Sequence, residues 1–201
     1  MLVIGIAGGV AAGKSLVADQ LKQLGAAVLD GDAAGHATLD EPDVRQAIRN
    51  RWGESLFDDN GHVRRSALAK IVFAPPPTGP IELEHLEEIT HPSIRTRLEQ
   101  QIAELENQAT RAAVLDAAVM FKTGWDQFCD TIVFVEAPRS GRLRRSVCRG
   151  WDADEFDRRE SAQLSIEEKR TRADVVIDNS GPPEKTQQQV EEFWNTHVVA
   201  R

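Results

Sequence analysis

Leu2-Val3-Ile4-Gly5-Ile6-Ala7 runs without interruption into Gly8-Gly9-Val10-Ala11-Ala12-Gly13-Lys14-Ser15, and this join decides the fold. The second half fits the phosphate-binding pattern G-x-x-x-x-G-K-[ST] with no mismatch. The first half is a short apolar run, as expected of a central strand buried on both faces of a parallel sheet. Beyond the motif, Leu16, Val17, Leu21 and Leu24 recur at helical spacing, so the loop joins a strand to a helix. Glycines at Gly9 and Gly13 let the backbone turn tightly through Val10, Ala11 and Ala12 and aim N–H groups at one centre. The helix N-terminus adds about half a positive charge. Lys14 is then placed to neutralise β and γ phosphates, and the Ser15 hydroxyl to ligate a Mg²⁺ that bridges them.

Composition bounds the rest. A chain of 201 residues, 41% hydrophobic and 28% charged, suggests one globular domain with insertions. The net charge of −8 argues against nucleic acid as the main partner. Two cysteines, Cys129 and Cys148, are too few for a disulfide framework and lack metal-ligand spacing. Cys129 reads as a small buried residue rather than a nucleophile. The N-terminal apolar run has no basic flank and ends in the phosphate loop, so neither a signal peptide nor a membrane span is expected, and the expected location is the cytoplasm.

Working outward, Gly25 to Leu29 reads as a second strand ending in Asp30-Gly31-Asp32. Ligands of open α/β sheets bind at the carboxyl ends of the strands, so these carboxylates fall on the phosphate-loop edge. There Asp32 is either the base that takes a proton from an acceptor hydroxyl or a turn former before a helix. From Ala33 to Arg111 the pattern is helical: Asp43–Trp52, a turn at Asp58–His62, a helix over Ser66–Phe73, a proline-rich break over Ala74–Pro80, and two helices between Ile81 and Asn107 divided at His91-Pro92. Strands three to five are Ala112–Asp116, Thr131–Val135 and Ala173–Ile177, with a closing helix over Glu184–His197. Asp116, ending an apolar strand, is able to hold Mg²⁺ directly or through water. Between the last two strands lies a basic segment in which Arg145 and Arg149, four apart, share a face if helical. They serve either transferring phosphates or a solvated face with the interspersed acids.

Taken together, these stretches resemble the dephospho-coenzyme A kinase family nearly end to end. The likeness is carried by Gly8–Ser15, Val28-Leu29-Asp30-Gly31-Asp32, Asp59-Asn60-Gly61 with Arg65 and Leu68, Phe73, and His91-Pro92. In the last third it is carried by Leu143, Arg145 and Arg149, by Ala162-Gln163 with Glu168-Lys169-Arg170, and by Ala173 to Gly181. The resemblance implies an α/β, three-layer P-loop kinase fold: a parallel five-stranded sheet with a helical acceptor-binding insertion and a helical lid. It implies a single domain over 1–201, with a core at about 1–34, 112–137 and 173–201, the insertion at about 35–111 and the lid at about 138–172. It further implies transfer of the γ-phosphoryl group of ATP, with Mg²⁺, to the ribose 3′-hydroxyl of dephospho-coenzyme A. Asp32, Lys14 and Arg149 are then catalytic. Arg145 and Asn179 join Gly9 to Ser15 on ATP, and Arg65, His91 and Asp116 stand with Asp32 on the acceptor side. A monomer or weak homo-oligomer with a small-molecule substrate is expected, without nucleic-acid or membrane partners.

Three departures qualify the likeness. Where the family usually reads aspartate-x-proline-leucine-leucine-phenylalanine-glutamate, this chain has Asp116-Ala117-Ala118-Val119-Met120-Phe121-Lys122. In the lid, Gly150-Trp151 replaces the usual acid, and the proline-rich break is longer than the family norm. These changes point to altered acceptor recognition rather than lost ATP binding. The competing readings are a related P-loop kinase for another nucleoside or nucleotide, and a non-catalytic ATP-binding switch that keeps Lys14 but does not require Asp32.

Overall fold

The computed structural model describes residues 1–117 and 120–200, apart from the side chain of Asp32. It divides into two compact units, Met1–Asp30 with Gln101–Arg201, and Gly31–Gln100.

The first unit is built on five parallel strands in the order β2-β3-β1-β4-β5. They are β1 (Leu2–Gly8), β2 (Ala27–Leu29), β3 (Ala112–Leu115), β4 (Thr131–Glu136) and β5 (Val175–Asp178). Every residue of β1 and β3 is buried, which explains the unalternated apolar runs. Helix α1 (Lys14–Gln23) returns from β1, and α10 (Pro183–Trp194) closes the unit. Val17 and Leu21 of α1 and Val190, Phe193 and Trp194 of α10 pack with Leu2, Ile4 and Ile6 into the main core. The opposite face of the sheet needs a gap. A Cβ on Gly5 would lie 2.7 Å from the Cys129 sulfur and 2.8 Å from that of Met120, which opens the short helix α6 (Met120–Thr123). After β4 come α7 (Arg139–Val147), α8 (Ala153–Ser161) and α9 (Ile166–Thr171). Helix α9 starts at a capping box in which the Ser165 side chain and Glu168 exchange hydrogen bonds with each other's backbone N–H. Because β3 and β4 flank β1 on opposite sides, the chain changes direction at the carboxyl end of β1, where α/β sheets seat their ligands.

The second unit is helical, with α2 (Gly31–Thr38), α3 (Pro42–Trp52), α4 (Arg65–Val72) and the greater part of α5 (Thr78–Asn107). Its core joins Val44 and Ile48 to Leu56, Phe57, Val63, Leu68 and Val72, with Leu83, Leu86 and Ile89 packed against them. No helix among the described residues is long and apolar enough to cross a membrane.

Several expectations need correcting. The division at His91-Pro92 is absent, and α5 runs through Pro92 as one helix of 30 residues. Pro92 has no N–H to donate and costs roughly 3 kcal/mol inside a helix. Leu83, Leu86 and Ile89 before it and the buried Ile94 and Leu98 after it form one continuous stripe. Burial of Ile94 and Leu98 contributes about 1.5–3 kcal/mol each, and with the partly buried Leu83, Leu86 and Ile89 added the stripe outweighs the proline. The break over Ala74–Pro80 is shorter than expected, because α5 begins at Thr78 and Pro80 sits in its first turn, where no intrahelical N–H is needed. Asp32 lies in the first turn of α2 rather than at the end of the second strand. At the far end, β5 begins two residues later and ends one residue later than expected, at Val175 and Asp178, and α10 stops at Trp194 before a π-turn over Asn195–Val199.

Candidate functional site

The phosphate loop leaves β1 and enters α1 through Gly13, whose φ of 101° is left-handed. A Cβ at Gly13 would also fall 2.0 Å from the Asn179 amide nitrogen. Only glycine meets both demands. By helix geometry the first N–H groups of α1 have no intrahelical partner, and together with the helix dipole they form an anion seat. Ser15, exposed in that first turn, presents its hydroxyl there.

The carbonyls of the loop are engaged one after another. Lys169 Nζ donates to Gly8 O at 3.4 Å, and Lys14 Nζ to Gly9 O at 3.4 Å. Arg142 donates to Val10 O at 3.2 Å, and Arg145 to Ala12 O at 2.9 Å. Asn179 Nδ2 also donates to Ala12 O, at 2.7 Å. Four of the five donors are cationic, and all draw the negative ends of the loop peptides away from the cradle. What remains for an incoming anion is the N–H side, in a field made more positive by these groups.

Arg142 is 3% exposed, held by the Glu160 carboxylate and by Ala137 O at 3.1 Å, with Phe156 beneath it. Phe156, Leu143 and Trp151 in turn pack on Val10 and Ala11, so α7 and α8 cover the outside of the loop. Burial lowers the pKa of the Lys14 ammonium, the nearby Asp116 carboxylate opposes this, and Arg149 and Arg142 lower it further. Burial and then Lys14 push Lys169 down to about 8.

The first unit therefore gathers Gly9 to Ser15, Asp116, Arg145, Arg149 and Asn179 around one loop. Arg145 and Arg149 do not share a helix face: α7 ends at Val147, and Arg149 stands in the following turn with its guanidinium 5.8 Å from the Trp151 ring. The Asn179 side chain is fully used, its oxygen accepting from the Thr186 hydroxyl at 3.0 Å while its nitrogen holds the loop. Arg145 is likewise spent on the carbonyls of Ala12 and Asn179. In the second unit, Asp32 opens α2, the exposed Arg65 opens α4, and the half-buried His91 sits midway along α5. The departures at Ala118 and Val119, and the side chain of Asp32, lie outside the described residues.

Sequence reasoning assigned no site role to Arg142 or Lys169. Arg142 precedes Arg145 by three residues, so helical spacing places both on one face. Lys169 was signalled only indirectly, by the capping box that fixes where α9 begins.

A Mg²⁺ ion fits this donor set. No group of three or more metal-ligating side chains exists among the described residues, but Mg²⁺ prefers hard oxygens, keeps several waters and is held by one or two protein groups together with phosphates. Ser15 and Asp116 supply oxygens of that kind.

The family model described as dephospho-CoA kinase matches residues 2–184. A protein of Geobacter sulfurreducens named dephospho-CoA kinase is 37% identical over 196 residues, spanning 96% of this chain and 98% of its own length. A crystal structure of a Thermus thermophilus protein superposes with a TM-score of 0.77 at 31% identity, over 98% of this chain and 97% of that one. A dephospho-CoA kinase from Campylobacter jejuni has the same fold, with a TM-score of 0.67 at 21% identity over 98% and 97% of the two chains. The chain with the loop Gly8–Ser15 belongs to the dephospho-CoA kinase family.

Proposed function

We propose that this protein transfers the γ-phosphoryl group of ATP to the 3′-hydroxyl of the ribose of dephospho-coenzyme A, releasing ADP and coenzyme A, the last step of coenzyme A synthesis. The observation that carries the reading is a family match from residue 2 to residue 184 on a phosphate loop whose carbonyls are all turned to protein donors. A loop held in this way is preorganised for charge that spreads over the transferring group, so little reorganisation remains at the moment of reaction.

The roles divide by chemistry. The loop amides and Lys14 seat the β and γ phosphates. Mg²⁺, held by Ser15 and Asp116 directly or through water, supplies charge neutralisation on those oxygens when bound. Asp32 takes the proton of the acceptor hydroxyl as its oxygen bonds to the γ phosphorus and the β–γ bridging oxygen leaves with ADP. Arg149, beside Lys14, offsets charge on the transferring group. Arg145 and Asn179 shape the ATP side through the loop carbonyl they share. Arg65, His91 and Asp116 are assigned with Asp32 to the acceptor. In domain terms, about 35–111 is the acceptor-binding insertion within a single kinase domain, and about 138–172 is a lid that excludes water. The protein works in the cytoplasm as a monomer or weak homo-oligomer without nucleic-acid partners.

The test is ADP release by purified protein with MgATP. Adding dephospho-coenzyme A should accelerate it well above the basal rate, and more than adding adenosine or other nucleosides does. No acceleration, or a clear preference for a nucleoside, would overturn the reading.

A further inference from the structure

A cavity of about 310 Å³ lies in the first unit between α6 and the segment from Ala162 to Arg172. Phe121, Lys122, Leu164, Lys169 and Arg172 form its walls. Three of these five are cations, and no carboxylate lines the cavity among the described residues. Two nearby acids are committed elsewhere: Glu160, which acts on Lys169, holds Arg142, and Glu168, which feels Arg172, is bound to Ser165. The Arg172 guanidinium rests over the Phe121 ring at 5.3 Å, which fixes that charge at the wall. Lys169 joins the cavity to the phosphate loop, since its amine is bonded both to Gly8 O and, at 2.6 Å, to Gln163 Oε1. A narrow cleft that contains Lys14 shares Phe121 and Lys169 with it.

We propose that this cavity is an anion subsite that takes the diphosphate of the acceptor, with Lys122 as a specificity-determining contact. The inference rests on the phosphotransfer reading above. The charged groups of the wall are all cations, and its neutral polar side chain, Gln163, is bonded to Lys169, so the cavity selects an anion, and its volume is that of a small-ligand site. It reaches the phosphate loop through Lys169, whose ammonium holds the Gly8 carbonyl, and through the cleft that contains Lys14, beside the amide cradle of the donor's phosphates, so a second phosphate-bearing group belongs here. Lys122 stands where the resembling family carries glutamate. In this chain the position therefore attracts the charge that a carboxylate would repel.

The experiment compares the parent with Lys122→Glu, Lys122→Arg and Arg172→Gln in the ADP-release assay, varying dephospho-coenzyme A and ATP separately. Lys122 and Arg172 are exposed, so the fold should survive. The expected result for Lys122→Glu is a KM for dephospho-coenzyme A at least tenfold higher, about 1.4 kcal/mol, with the KM for ATP within twofold of the parent. Lys122→Arg should stay within threefold on both, and Arg172→Gln should raise the acceptor KM alone. An unchanged acceptor KM in Lys122→Glu, or both KM values rising together, would overturn the subsite. If the parent itself shows no acceleration, the phosphotransfer reading fails. Equilibrium dialysis with dephospho-coenzyme A then still reads the subsite, which is overturned by equal binding to parent and Lys122→Glu.

Discussion

Replacing Arg142 by Met removes a guanidinium while keeping an unbranched apolar stem against Phe156. The side chain is 3% exposed and donates to Val10 O, Ala137 O and the Glu160 carboxylate. Taking one partner out of a buried ion pair costs about 3–5 kcal/mol, because the other charge is left without compensation. Glu160 keeps 24% of its side-chain surface in water, so it can recover part of its hydration and the low end applies. Two carbonyls also lose charged donors, at roughly 1–3 kcal/mol each if they stay dry, although these terms overlap with the first. A net loss of about 3 kcal/mol follows, from a total of about 5–15 kcal/mol typical of a folded domain. With a urea slope of about 2 kcal/mol/M, the unfolding midpoint should fall by about 1.5 M. A double-mutant cycle with Glu160→Gln should return a coupling of at least about 1 kcal/mol. A midpoint shift below about 0.5 M, or additive single variants, would refute the claim that this pair braces the loop.

Further outcomes can be checked independently. Asp32→Asn should lower kcat by about 10²–10⁴ while leaving binding of a non-hydrolysable ATP analogue unchanged; unimpaired turnover would remove Asp32 from the chemistry. Lys169, held at about 8 when folded against 10.5 in its ordinary state, binds fewer protons in the folded than in the unfolded chain between those values, so its contribution to stability rises with pH across that window. Urea midpoints at pH 7.5 and 9.5 should therefore increase relative to those of Lys169→Met, and parallel behaviour of the two proteins would contradict the assignment. Cys129 is pushed up to about 12 by burial, whereas Cys148 is exposed. Mass spectrometry after iodoacetamide at pH 8 should find one added group on the native protein, at Cys148, and two after unfolding; equal labelling of both in the native state would be the contrary result.

The nucleotide half of the fold was legible because its signals are local. An apolar run, a glycine-lysine-serine loop and a 3.6-residue repeat lie next to one another between Leu2 and Leu24, and each constrains the backbone over a few residues only. Strand positions followed for the same reason, since Ala112–Leu115 and Thr131–Val135 are buried on both faces and have no polar alternation to confuse them. Pro92 misled, because a breaker is a local signal while the stripe that overrides it is a tertiary one. Arg149 misled in the opposite way: spacing of four implies a shared face only while the helix lasts, and the local stop signal was Gly150, whose left-handed φ of 81° closes the helix just beyond Val147. Arg142 and Lys169 received no role from the sequence because their partners, the carbonyls of Val10 and Gly8, are more than 130 residues away and carry no side-chain signature.

Those long separations have a consequence for how the protein is made. A nascent chain that has just emerged with Gly8–Ser15 holds the complete binding motif, but Arg142, Arg145, Lys169 and Asn179 have not yet been synthesised. Its strand β1 also lacks both neighbours, β3 and β4. The loop takes its working shape only when residues up to about 180 have left the ribosome. Prematurely terminated chains thus carry the motif without the grip on nucleotide, and the topology couples affinity for ATP to completion of the polypeptide.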